Sequence, residues 1–182
     1  MNISLNEKYA LVGGASAGIG RATALELARL GANVTLVART ESALKQVLQE
    51  LDAGQGQRHR YLVADFNDSQ ILMSKISELL LEHPVHILVN NTGGPPGGPV
   101  TEAASEAFLR AYHNHLICNQ LLAQAVLPGM KSAGYGRIIN IISTSVKEPI
   151  PNLGVSNTTR WAVADWAKTW ANEVGRFGIT VN

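Results

Sequence analysis

The sequence predicts an α/β fold, a doubly wound parallel sheet covered by helices on both faces, and three observations carry that prediction. Short apolar runs recur along the chain, and each is followed by a longer segment with apolar residues at helical spacing. The runs YALVG, NVTLVA, RYLVAD, HILVNN and RIINII are almost continuously apolar, as strands are when crossover helices bury both faces of their sheet. A glycine-rich turn stands directly between the first run and the first helical segment.

Each element follows in order from local chemistry. The first helix is predicted from Gly18 to Leu30, with Ala22, Leu25, Ala28 and Arg29 in its repeat and Gly31 as its stop. The second begins near Thr40, a residue suited to cap it, with Ser42 close behind, and fades at Leu51 before the Gly54-Gln55-Gly56 turn. Asn67 or Asp68 caps a third helix that reaches about Glu82. The stretch TGGPPGGPV, with three Pro and four Gly, is loop. A long helical segment from about Glu102 to Lys131, interrupted by Pro128, precedes the Gly134-Tyr135-Gly136 turn into the fifth strand. GVSNTTRWAV, Gly154 to Val163, reads as a loop running into a helix, and GITVN as the opening of a sixth strand. That last reading places a completing C-terminal strand and a substrate-covering lid beyond Asn182. No internal repeat, low-complexity tract or linker divides residues 1–182.

Composition bounds the function. With 182 residues, 46% of them hydrophobic and 16% charged, the chain can bury one sizeable core, so a single domain is expected. Lys plus Arg number 15 against 14 Asp plus Glu, which removes the electrostatic case for nucleic acid or a membrane surface as partner. The lone Cys118 excludes a disulfide framework and a cysteine metal cluster; it reads as a packing residue in a reducing compartment, and no metal is expected. The start MNISLNEKYALV lacks a basic region followed by a long apolar run, and no window approaches ~18 apolar residues. A cytoplasmic protein is expected.

The glycine-rich turn is GGASAGIG, with Gly14, Gly18 and Gly20 in a G-x-x-x-G-x-G pattern at a helix start. Glycine removes the Cβ atoms that would hold a pyrophosphate away from backbone N–H groups, and the helix N-terminus adds partial positive charge. The turn therefore reads as a dinucleotide cradle of Rossmann type, against the plainer alternative of a tight structural turn. The second strand ends Val37-Ala38-Arg39, where an NAD site would carry a carboxylate for the ribose 2′-hydroxyl. Arg39 instead offers a fork of donors suited to a 2′-phosphate, so NADP is favoured over NAD; the plain alternative is a solvated arginine. The missing acid also argues against a methyltransferase of similar topology.

With these residues in view, the chain resembles the short-chain dehydrogenase/reductase family over essentially its whole length, in texture its 3-oxoacyl-reductase-like branch. GGASAGIG is similar to the family's T-G-x-x-x-G-I-G, with Gly13 in the Thr position; Asp65 matches the acid that contacts adenine; NNTGG at Asn90 to Gly94 matches N-N-A-G with Thr92 for Ala; GRIINIIS ends on the family's catalytic serine at Ser143; and GITVN matches as well. The resemblance implies a cofactor site made by Gly14, Ser16, Gly18, Ile19, Gly20, Arg39, Asp65, Phe66, Asn91, Gly93 and Arg160.

It also implies a reaction centre, and here the match breaks. The family reduces a carbonyl with a Tyr whose phenol, of ordinary pKa about 10, is made more acidic by a Lys four residues on. Counting from Ser143 lands on Ser156 and Arg160. An aliphatic hydroxyl is a poor proton donor, while a guanidinium stabilises charge and binds hydroxyls without relaying protons. The family's Asn on the long helix falls on His115, with Asn114 adjacent. An imidazole titrating near pH ~6.5 could pass protons, or His115 is a packed helix residue. Tyr112, His113 and Lys147 read as surface or packing residues. Asn157, Thr158 and Thr159 add donors near the site or cap the helix.

Trp161, Trp166 and Trp170 share the last helix and read as core or subunit-interface anchors, which implies a homodimer or homotetramer. The expectation is an NADP-dependent oxidoreductase acting on a carbonyl or alcohol, with Ser143, Ser156, Arg160 and His115 as its catalytic residues. Its rival is a nucleotide-binding protein that keeps the scaffold without hydride transfer, as sensor, regulator or assembly partner. A structural subunit without cofactor ranks last, because it leaves the cradle residues unexplained.

Overall fold

The computed structural model describes residues 3–182. Six parallel strands, β1 Tyr9–Gly13, β2 Asn33–Ala38, β3 Arg60–Val63, β4 Ile87–Asn90, β5 Gly136–Asn140 and β6 Ile179–Val181, form one sheet in the order β3-β2-β1-β4-β5-β6. Helices α1 Gly18–Arg29, α2 Glu41–Glu50, α3 Ser69–Glu82, α4 Ser105–Tyr112, α5 Cys118–Ala133 and α6 Gly154–Val174 connect them. Two apolar clusters result. Ala24, Ala28, Leu44 and Val47 of α1 and α2 pack with Val12, Leu36 and Val89, whereas Leu72, Leu122, Val126 and Trp170 of α3, α5 and α6 pack with Leu11, Leu88 and Ile138. Neighbouring strand residues thus feed opposite cores, which is why the runs show no polar alternation.

The strands and the sixth-strand opening stand where the sequence puts them; of the two caps expected for α3 one is used, and the helices depart from expectation in three further respects. Asp68, not Asn67, caps α3: its carboxylate accepts the Ile71 N–H at 3.0 Å. Thr40 occupies the cap of α2 with no side-chain bond. The expected long helix is three pieces, α4, a π turn over His113–Ile117 and α5, and Pro128 sits inside α5 without ending it. Helix α6 starts at Gly154, so the stretch read as loop is helical and Ser156 lies in its first turn. A Cβ on Gly154 would press on the Val100 backbone and side chain, so only glycine lets the helix begin there.

Two loops close over this edge of the sheet. Gly98 N–H donates to Asn152 O at 2.7 Å, Gly154 N–H donates back to Gly98 O, and Gly98 pairs with Leu153 as a parallel bridge. Beneath them, Asn90 donates to Asn140 Oδ1 at 2.9 Å and Asn140 donates to Asn182 O at 3.0 Å, which joins the ends of β4, β5 and β6.

Candidate functional site

Sheet order reverses between β1 and β4, and outside the carboxyl ends of the strands a crevice opens at such a switch point. Here it is a cleft of about 620 Å³. Its floor is the β1–α1 turn, where Gly14 and Gly18 hold φ of +57° and +55°. A Cβ on Gly14 would stand 2.6 Å from Asn91 Nδ2, and one on Gly20 would run into the Gly14 carbonyl. Asn91 is pulled in because its Nδ2 donates to Gly13 O at 3.1 Å. A Cβ on Gly13 would lie 2.6 Å from Asn91 O, so this close approach accounts for glycine where the family has threonine.

Gly14, Ser16, Gly18 and Ile19 line the cleft, and Gly20 supports the turn from behind. The α1 N-terminus has no side-chain cap, so its first N–H groups are left for a ligand. Arg39, at the end of β2, lines the rim and makes no ion pair among the described residues. Asp65, Phe66, Asn91 and Gly93 complete the walls expected of them. Cys118 lies just behind: its thiol donates to Phe66 O at 3.2 Å, and burial, with the Asp65 carboxylate, pushes it up to about 11. That is an inert packing thiol.

The opposite wall was not legible in full. Ala107, Arg110, Ala111 and Asn114 all line the cleft, and their i, i+3, i+4, i+7 spacing is the one sequence signal that could have found them. The π turn adds to it. The Cys118 N–H reaches back five residues to His113 O, and the extra residue turns both Asn114 and His115 into the cleft.

His115 is 2% exposed. Burial, followed by the Arg160 guanidinium, pushes its imidazole down to about 4 against an opposing contribution from the Gly93 backbone. The expected titration near pH ~6.5 is corrected: the ring is neutral at pH 7. Arg160, half-buried on α6, donates from Nη1 to Ile141 O at 2.8 Å, and its other arm faces Gly94. Burial lowers its pKa, yet a guanidinium starting above ~12 stays charged. Ser143 caps the 3-10 turn Thr144–Val146, its Oγ accepting from Ser145 N–H at 3.1 Å. Ser156 has no hydrogen-bond partner among the described residues. Ser143, Ser156 and Arg160 do not border the cleft itself; Arg160 meets it through His115 and the Gly93–Gly94 loop.

Among the described residues, no group of His, Cys, Asp and Glu could hold a metal ion. None of the described helices is long and apolar enough to cross a membrane.

A family model described as short chain dehydrogenase matches residues 8–182. The chain belongs to the short-chain dehydrogenase family. This short-chain dehydrogenase is 37% identical over 176 residues to a protein of the granaticin polyketide synthase of Streptomyces violaceoruber named for ketoacyl reduction, covering 95% of the chain. The chain spans 64% of the length of that relative. It is also 30% identical over 176 residues to "Inactive hydroxysteroid dehydrogenase-like protein 1" of Pongo abelii, covering 96% of the chain and 53% of the relative. Among solved structures, L-sorbose reductase of Gluconobacter frateurii complexed with NADPH and L-sorbose matches with a TM-score of 0.93 at 30% identity, over 100% of this chain and 70% of that one.

Proposed function

We propose that this short-chain dehydrogenase is an NADP(H)-dependent oxidoreductase that interconverts a small carbonyl compound and its alcohol, with a fixed cation where the family has an acid–base pair. The glycine cradle carries the reading. Side chains at Gly14 and Gly20 would close it, α1 offers uncapped N–H groups, and Arg39 stands free at the rim without a competing acid on β2. The residues present thus fit NADP: Gly14, Ser16, Gly18 and Ile19 at the pyrophosphate, Arg39 at the 2′-phosphate, Asp65 and Phe66 at adenine, and Asn91, Gly93 and Arg160 toward the nicotinamide side. When bound, the cofactor supplies the hydride equivalent.

The chain's own residues handle the oxygen. Ser156 has an unengaged hydroxyl, and Ser143 accepts from Ser145 while its own proton is free to donate. Arg160 is held by Ile141 O and keeps its positive charge beside them, which stabilises a developing alkoxide without a proton. His115, neutral at pH 7, cannot be a stored acid, so water supplies the proton. We assign the protein to the cytoplasm, where the buried Cys118 stays reduced. We also assign it a homodimer or homotetramer, supported by a groove of about 730 Å³ between α5 and α6 in which Trp166 and Trp170 both donate to Gln120 Oε1.

A second reading, a nucleotide-binding protein without turnover, is favoured by the lost phenol and by the relative whose name calls it inactive. Titration with NADPH and NADH, followed by a ketone and alcohol panel monitored by nicotinamide absorbance, separates the two. Tight NADPH binding with turnover is expected. Binding without turnover across the panel selects the second reading, and no binding overturns both.

A further inference from the structure

The π turn presents two side chains that the mechanism above does not use. His113 and Asn114 stand at the head of a hydrogen-bonded chain that ends on Asp65. The Ser69 hydroxyl lies 3.3 Å from His113 Nε2, and His113 Nδ1 lies 3.2 Å from Asn114 Oδ1. Asn114 Nδ2 donates to Asn67 Oδ1 at 2.9 Å. Asn67 then donates twice to one oxygen of Asp65, from its backbone N–H at 2.9 Å and from Nδ2 at 2.8 Å.

With its proton on Nδ1 and Nε2 bare, His113 accepts from Ser69 and donates to Asn114, with the Cys118 sulfur 4.0 Å from Nδ1. Every donor in the chain then points the same way, toward Asp65, an arrangement in which each bond polarises and strengthens the next. Both ends of the Asn114 amide are engaged, so its orientation is determined, and through it that of the Asn67 amide. The consequence falls on the Asp65 carboxylate. Oδ1 is filled by two donors, and Oδ2 takes no bond among the described residues, while Asp65, Asn67 and Asn114 all line the cleft. A carboxylate oxygen held still and left unfilled at the wall of a nucleotide cleft is an acceptor for an N–H group of the base.

We infer that His113 and Asn114, brought inward by the π turn, act through Asn67 as positioning residues that hold Asp65 to read the 6-amino group of the cofactor's adenine. This inference rests on the dinucleotide reading proposed above. A regular helix would present residues 113, 114 and 115 at successive 100° steps. The π turn lets Asn114 serve the base while His115, its neighbour, stays at the Gly93–Arg160 end.

The test is base discrimination, measured by quenching of tryptophan fluorescence with NADPH and with its hypoxanthine analogue, whose 6-oxo group accepts where adenine donates. The unaltered protein is expected to bind NADPH about tenfold tighter than the analogue. Asn114→Leu removes the donor to Asn67, and Asn67→Ala, at an exposed position outside the π turn, removes one donor to Asp65. Each should cut the NADPH-to-analogue ratio about threefold to fivefold, NADPH losing more affinity than the analogue. A merely structural role would weaken both ligands together, and that result, or an unchanged ratio in both variants, overturns the inference. An unaltered protein that binds both ligands equally overturns it while sparing the dinucleotide reading; one that binds neither overturns both.

Discussion

The two ends of the cleft are built on different principles. At the β1–α1 end the wall is backbone: positive-φ glycines, uncapped helix N–H groups and an asparagine drawn so close that Gly13 and Gly14 have no room for a side chain. At the end toward α6 the wall is the His115 side chain, and behind it stand further side chains, Ser143, Ser156 and Arg160, that do not border the cleft. Backbone geometry is shared by every residue around it and resists change. A side chain on a helix surface can be exchanged while the helix stays.

Perturbing the two ends separately sharpens this contrast. The largest effect is expected at the backbone end: Gly14→Ala puts an L side chain at φ +57° and 2.6 Å from Asn91 Nδ2, and NADPH affinity by fluorescence titration should fall about 100-fold or more. Retained affinity would break the comparison. At the other end, Arg160→Met removes the fixed charge and leaves Ile141 O without its partner. Single-turnover absorbance should show hydride transfer slowed about 100-fold, with NADPH affinity changed far less. The double variant Ser156→Tyr, Arg160→Lys separates the rival readings: turnover gained where the parent has none supports the silent protein, and turnover lost supports chemistry through Arg160.

Arg39→Ala should weaken NADPH about tenfold and leave NADH unchanged; equal losses would mean that Arg39 does not read the 2′-phosphate. The pH dependence of stability tests the buried imidazole. His115 has a folded value of about 4 against an ordinary 6.5, so between those values the unfolded chain binds the extra proton. Its contribution is present above pH ~6.5, is lost as pH falls toward ~4, and amounts to about 3 kcal/mol. Denaturant melts at pH 7 and 4.5 should show this loss, and His115→Gln should flatten it. The smallest effect is Asp68→Ala, which removes the α3 cap for about 1 kcal/mol, a fall of a few degrees in Tm.

What was legible in the sequence follows the same division. All six strands and the cradle could be read, because a buried strand needs an unbroken apolar run and a close backbone approach needs glycine. The split of the long helix could not, since HNHLICNQ carries no breaker and the π turn answers to what packs around it: Asn67 and Ser69 on one side, Gly93 and Arg160 on the other. The helical start at Gly154 was hidden because it depends on Val100, 54 positions away in the chain. Ser156 and Arg160 could be located by counting, but the neutrality of His115 could not, since burial is set by the whole fold. His113 reads from the sequence only as a surface or packing residue, because its partner Ser69 lies on another helix.

The π turn carries a consequence for descent. Removing one residue from His113–Ile117 would restore ordinary helical winding and leave α4 and α5 on their present faces, because the turn holds one residue more than the α-helical register needs. Ala107 and Ala111 would keep the wall, but Asn114 and His115 could no longer both turn into the cleft, so a single-codon deletion here would be rejected even where a conservative replacement is tolerated. Chain length across this turn should be held among descendants more strictly than the identity of any residue in it.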